Sequence, residues 1–233
     1  ITEIKEADVI FITGSNTTET HPVMGMYVRQ AHRMGKKIIV ADPVRIPLAE
    51  IADIYLQINP GTSVALSNGM LHVIFEEGLE DKEYIEKYTE GIEELREIVK
   101  SYTPEKTAEI CGVDKELIIQ AARLYAGTHK SYIAYAMGIT QHVNGTDNVS
   151  SLSNLALVTG NIGKKASGVN PLRGQNNVQG ACDMGALPTD YPAYQKVFNP
   201  EVQEKFEKAW GVKLSPVKGY TVTETIPAIL EDK

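Results

Sequence analysis

The first pattern along the chain is the run Ala7-Asp-Val-Ile-Phe-Ile-Thr13, short and almost wholly apolar, which ends at Gly14-Ser-Asn16. An unbroken apolar run bounded by a turn predicts a buried parallel strand. The period then becomes helical. Pro22 suits a first helical turn, Thr18 or Thr20 is the candidate cap, Val23, Tyr27, Ala31 and Met34 form the expected inward stripe, and Gly35 ends the helix. Lys37-Ile-Ile-Val-Ala-Asp-Pro43 follows as a second strand with an acid at its carboxyl end. Strand, helix and strand within about 35 residues make half of a mononucleotide fold, whose ligands lie outside the carboxyl ends of the strands. Gly14, Ser15, Asn16 and Asp42 fall there, although no GxGxxG is present.

Residues 54–58 predict a third short strand, and Gly61-Thr-Ser63 opens an apolar helix from about Val64 to Glu77. From Asp81 to Tyr125 the chain is helical in period and rich in charge, broken at Gly91, Thr103-Pro104 and Gly112. Its Glu and Lys residues are expected to be solvated. Asp114 is the cap of a last helix whose Leu117, Ile118, Ala121, Ala122 and Tyr125 face inward. Residues 131–137 return to strand character and deliver Gly138-Ile-Thr-Gln141 at their carboxyl end. A helix of small residues spans 146–159, and a Gly- and Asn-rich loop then runs to Gly185. Residues 188–200 carry prolines and aromatics without a period, residues 201–210 make a short amphipathic helix, and the last twenty residues predict no element of their own.

Composition narrows the class. Hydrophobic residues are 42% and charged residues 23%, as in a folded globular chain, and 233 residues bury a sizeable core. No apolar run is long enough to span a bilayer. A net charge of -7, with Lys and Arg scattered, argues against a nucleic-acid surface, so an anionic ligand must be held by local groups. Cys111 and Cys182 form no CxxC pair, the five histidines show no zinc spacing, and no metal ligand is assigned. A reducing cytoplasm is the expected setting. The chain begins at Ile1, within what reads as the approach to a strand, and is expected to be part of something longer.

The densest chemistry lies in Arg173-Gly-Gln-Asn-Asn-Val-Gln-Gly-Ala-Cys-Asp-Met-Gly185, with one guanidinium, four carboxamides, one thiol, one carboxylate and three glycines in thirteen residues. Carboxamides donate and accept, glycines let backbone approach closely, and a guanidinium grips an oxyanion at two points. A binding segment and a polar surface loop both fit that composition.

Several segments, in order, carry a resemblance: Gly14-Ser-Asn16 with Glu19 and His21-Pro22, Ala41-Asp-Pro43, Gly61 with Ser63, Met137-Gly138 with Gln141, Leu157-Val-Thr-Gly-Asn-Ile-Gly163, and Asn170-Pro-Leu-Arg-Gly-Gln175 running on to Pro188. Together they resemble the molybdopterin oxidoreductases, and within them the catalytic (alpha) subunits of formate dehydrogenases, over essentially the whole chain. The resemblance implies an α/β, Rossmann-like domain with a mainly parallel sheet flanked by helices over residues 1–175, and a polar loop and C-terminal segment over 176–233 leading to a further domain. It also implies that the domain binds one of two molybdopterin guanine dinucleotides carrying molybdenum or tungsten, through Gly14, Ser15, Asn16, Glu19, Ala41, Asp42, Pro43, Val44, Gly61, Ser63, Met137, Gly138, Gln141, Gly174 and Gln175. Asp42 would accept from the ribose, its alternative role being to cap the turn into Pro43. The hydroxyl of Ser63 stands where family members often carry an acid that pairs with guanine. Arg173 would orient formate, its alternative role being a surface ion pair. The metal-binding Cys or selenocysteine, the ligands of a 4Fe-4S cluster and the second dinucleotide domain would lie outside this sequence, with electron-transfer subunits as partners. Alone, the segment is expected to be inactive. Another molybdopterin oxidoreductase, such as a nitrate reductase, and a non-catalytic nucleotide-binding or assembly module are the alternatives.

Overall fold

A computed structural model describes residues 2–231 and divides the chain into two compact units, one ending at Leu172 and one beginning at Arg173. The first unit is built on five parallel strands in the order β3-β2-β1-β4-β5. A 3₁₀ turn, Thr2–Glu6, leads into β1 (Val9–Thr13), after which come α1 (Thr17–Thr20), α2 (Pro22–Arg33), β2 (Lys37–Ala41) and β3 (Ile54–Leu56). The four apolar residues of β1 are fully or almost fully buried, because side chains alternate between the two covered faces of the sheet. Val9 and Phe11 pack with Ile39, Ala41, Ile133 and Tyr135 on one face. Ile10 and Ile12 pack with Ile38, Val40 and Ala134 on the other.

The two faces are covered differently. Over the Ile10 side lies α2, offering Met24, Val28 and Ala31. The stripe expected from the sequence is rotated by one position: Val23 and Met34 are 59% and 64% exposed. The rotation follows from a break at His21, which separates α1 from α2 and serves as the N-cap of α2 without a side-chain bond, so neither Thr18 nor Thr20 caps it. The Phe11 side is covered by α3 (Ser63–Glu76); the charged helix α4 (Lys82–Tyr88) follows, and then α5 (Ile92–Val99), α6 (Pro104–Cys111) and α7 (Lys115–Ala126), which pack against α3. Asp114 does cap α7, accepting from the Glu116 amide at 2.8 Å, and Ile118, Ala121, Ala122 and Tyr125 point inward. One charged side chain in this region is not solvated: the Glu80 carboxylate is buried against Arg96 at 3.0 Å, and that guanidinium also sits 4.2 Å from the centre of the Phe75 ring.

After α7 the chain crosses to the other side of β1, where β4 (Ser131–Tyr135) pairs with it in register from Val9 with Ser131 to Thr13 with Tyr135. Then come α8 (Met137–Thr140), α9 (Gly145–Val158) and β5 (Gly168–Pro171). The start of the expected Gly-rich loop is therefore a strand, hydrogen-bonded to β4 from Tyr132 with Gly168 to Tyr135 with Pro171. Its residues are too polar and too few to announce a strand by pattern. An exposed backbone edge on β4 supplies what the pattern lacks.

The second unit is smaller. It holds α10 (Val178–Asp183), a hairpin of β6 (Asp190–Tyr191) and β7 (Gln195–Lys196), α11 (Pro200–Trp210) and α12 (Val222–Leu230). Tyr191, Val197 and Phe206 form its core, with the Tyr191, Phe206 and Trp210 rings 4.8–6.0 Å apart. The helix α12 corrects the expectation of no element near the C-terminus. Thr221 and Glu224 form a reciprocal capping box, Glu224 accepting from the Thr221 amide at 2.9 Å.

Candidate functional site

Chain order reverses between β1 and β4: the chain leaves β1 toward β2 and β3, then returns to build β4 and β5 on the opposite side. Loops diverge at such a switch point and leave a crevice beyond the carboxyl ends. A cleft of about 370 Å³ opens there, within the size range of small-molecule sites. Gly14, Ser15 and Asn16 after β1, Ala41 to Val44 after β2, Gly61 and Ser63 at the start of α3, and Gly138 after β4 all line it. The convergence of Gly14–Asn16 with Asp42 at one sheet edge is as the strand order requires.

Two glycines set how closely the walls approach. Gly138 donates its amide to the Gly14 carbonyl at 3.1 Å. A Cβ on Gly14 would stand 2.7 Å from the Gly138 carbonyl carbon, and one on Gly138 would stand 2.7 Å from the Gly14 Cα. Gly14 also has φ +56, in the left-handed region where a side chain is strained. The turn is closed only because neither residue has a side chain.

Asp42 follows β2 and is buried. Its Oδ1 accepts from the Val44 amide at 2.9 Å, so it caps its own turn. Burial raises its pKa above the usual carboxylate range, opposed by the amides of Val44 and Ser15. A carboxylate has about four acceptor positions, so capping leaves room for hydroxyl donors from a ligand. Tyr55 and Gln57 fix the same turn by donating to the Asp42 and Pro43 carbonyls, each at 3.2 Å. Opposite it, the amino end of α3 directs its positive dipole at the cleft. Thr62 at that end donates its hydroxyl to the Asn59 carbonyl at 2.7 Å, and the buried Cys111 thiol, its pKa raised by burial, lies 3.7 Å from the Thr62 carbonyl. Cys111 is thus part of the core under the site.

Asn16 carries the least satisfied group of the cleft: its Oδ1 is buried and has no hydrogen-bond partner among the described residues. Ile46, Ile58, Asn59, Pro60 and His142 also line the cleft and were not singled out from sequence. Their signal was absent because each lies in a connection whose path depends on a distant strand. Three expected residues of the first unit do not line it. Glu19 is exposed on α1, while Met137 and Gln141 are exposed at the two ends of α8. Arg173, Gly174 and Gln175 begin the second unit. There the Tyr194 hydroxyl donates to Asp183 Oδ1 at 2.9 Å, which raises the phenol pKa, while the nearby Arg173 lowers it. Cys182 belongs to no group of metal-ligating side chains among the described residues.

A parallel sheet covered on both faces, with its cleft at the switch point, defines a Rossmann-like α/β domain. The family model for molybdopterin oxidoreductases matches residues 1–230, and the chain belongs to that family. It is 54% identical over 97% of its length to the F420-dependent formate dehydrogenase subunit alpha of Methanocaldococcus jannaschii, and 50% identical over 96% to formate dehydrogenase H of Escherichia coli. The chain spans about a third of the length of these relatives, 33% and 32% respectively. Among solved structures it is similar to acetylene hydratase from Pelobacter acetylenicus, with a TM-score of 0.66 and 33% identity over 70% of this chain and 23% of that one. No helix among the described residues is long and apolar enough to cross a membrane.

Proposed function

We propose that this chain is the nucleotide-binding segment of a formate dehydrogenase catalytic subunit, that it holds one molybdopterin guanine dinucleotide in the switch-point cleft, and that Arg173 orients formate. The observation that carries the first part is the convergence of ten of the expected residues on one cleft. The cleft fits the group by its chemistry. Small residues at Gly14, Ser15 and Gly61 let a diphosphate approach backbone, and the amino end of α3 favours its charge without a Lys or Arg. Asp42 accepts ribose hydroxyls beside its own cap. Pro43, Val44, Ile46 and Ile58 supply apolar surface for a flat base. Asn16 also lines the cleft, and its buried Oδ1 is an acceptor without a partner among the described residues.

When bound, the metal dithiolene would take up the electrons released as formate becomes carbon dioxide. The residues of this chain bind and orient. Arg173 offers a planar two-point fork, the geometry of a carboxylate clamp. Gly174 and Gln175, next in the chain, would lie against the cofactor, as would Glu19, Met137 and Gln141. A 4Fe-4S cluster, the metal-ligating Cys or selenocysteine and electron-transfer partners belong to the remainder of the protein in this reading, and a cytoplasmic location goes with it. Residues 1–175 would serve the dinucleotide and 176–233 would lead into the next domain.

The test is the full-length protein, assayed for molybdenum or tungsten, for guanine nucleotide released on hydrolysis, and for formate-dependent dye reduction. Metal and guanine nucleotide that are both lost in Gly14→Val, with the fold intact by circular dichroism, support the cleft. Full retention overturns it. The likeness to an acetylene hydratase favours a second reading, in which the same domain serves another reaction of the family. Metal and dinucleotide present without any formate oxidation would select that reading.

A further inference from the structure

The cleft carries a charge problem. Among the described residues that line it, Asp42 is the only carboxylate and there is no Lys or Arg. A dinucleotide brings further negative charge at its diphosphate, in a chain of net charge -7. Of the same lining residues, His142 is the one whose side chain can become a cation.

Its position is held. His142 follows α8, and its Nε2 lies 2.9 Å from the Gly138 carbonyl. A carbonyl only accepts, so Nε2 carries the proton and Nδ1 is the atom left to take up a second. The bond ties the ring to the wall that meets Gly14 back to back. Few titratable neighbours compete for it. The turn after β1 and the first turn of α3 contribute none to the cleft lining, and α8 has none. On α1 stands Glu19, exposed, with His21 at its end; α9 carries Asp147, exposed, in its first turn. Asp42 already accepts from Val44 and Ser15.

We infer that His142 is the cationic partner of the bound dinucleotide's diphosphate: it binds as the imidazolium, one N–H on the Gly138 carbonyl and the other on a phosphate oxygen. The inference rests on the cofactor site proposed above. It makes cofactor retention pH-dependent in a defined direction, because the attraction is present while the ring is doubly protonated and is lost as pH rises. A charge-assisted bond to a phosphate is stronger than a neutral one.

The probe is guanosine diphosphate mannose, whose diphosphate is a diester and so keeps a constant charge across the working range. Its affinity for the full-length protein isolated without cofactor is measured by calorimetry at about pH 5.5 and about pH 8.5. The wild type should bind about tenfold more tightly at the lower pH. His142→Gln should bind equally at both, at the weaker level, and His142→Lys should bind at the tighter level at both. An unchanged pH dependence in His142→Gln, or failure of His142→Lys to restore tight binding at high pH, overturns the inference. Asp42→Ala reads the cofactor site separately: if it leaves all binding in place, or if the wild type binds at neither pH, the cleft is not the dinucleotide site and the proposed function fails with the inference.

Discussion

The two units of this chain are built on different amounts of buried surface. The first has two apolar layers, one on each face of a parallel sheet, and its strands are paired along their length. The second has a core cluster of three buried apolar residues, a hairpin of two-residue strands, and Met184, Phe198, Tyr220, Val222, Ile226, Ile229 and Leu230 exposed. Local capping compensates: Asn199 caps α11 by accepting from Glu201 at 3.0 Å, and Thr221 with Glu224 caps α12. Such caps contribute on the order of 1 kcal/mol each, against about 2–5 kcal/mol for a large buried side chain. The comparison teaches that a cleft needing fixed geometry is set on the well-packed unit, while the unit that opens with Arg173 rests on local structure.

The sharpest way to break this contrast is at the rigid edge. Gly14→Val places a branched side chain at a positive φ and against the Gly138 backbone, and should cost about 3–5 kcal/mol of stability. Gly138→Ala meets the same contact without the strained φ and should cost less. Urea unfolding followed by circular dichroism ranks the two, and equal midpoints for both variants and the wild type would remove the close approach as a constraint.

In the second unit Phe206→Ala should cost about 2–4 kcal/mol, since it removes the middle ring of the Tyr191, Phe206 and Trp210 cluster. Trp210 is the chain's single tryptophan and stands in this unit, so its fluorescence reports there and nowhere else. Its transition should move to lower urea while the circular dichroism transition of the sheet stays in place. Both moving together would show that the units unfold as one.

On the role proposed for Arg173, Arg173→Lys in the full-length protein should slow formate oxidation by roughly one to two decades, because it would remove a charged hydrogen bond of about 1.5–3 kcal/mol and the planar fork. Metal and guanine nucleotide content should be unchanged. A variant with wild-type formate kinetics would return Arg173 to its alternative role, a surface ion pair.

The smallest effect belongs to Asp42. Burial raises its pKa in the folded chain, so the folded state holds its proton more tightly than the unfolded state does, and stability falls as pH rises from the ordinary carboxylate range through the raised value. In Asp42→Asn the carboxamide oxygen can still accept from the Val44 amide, and the side chain no longer titrates. The variant should be slightly more stable than the wild type near neutral pH, and that part of the pH dependence should vanish. An unaltered pH profile of unfolding would show that the two amide bonds fully offset burial.

Much of this was legible in the residues alone. The strands β1, β2 and β4 are written as apolar runs because each is covered on both faces, and α7 is written by Asp114 and its inward stripe. Strand followed by helix followed by strand also fixed which ends would carry Gly14–Asn16 and Asp42. Those features rest on local chemistry, where one residue's environment depends on near neighbours in the chain. The phase of α2, the pairing of Gly168–Pro171 with β4, the contact of Gly14 with Gly138, and the entry of Ile58, Asn59 and His142 into the cleft had no such local signal. Each depends on a partner far along the chain, and a side chain or its absence means something different once that partner is in place. The sequence could name the glycines at both strand ends; only the parallel register of β1 with β4 brought them back to back.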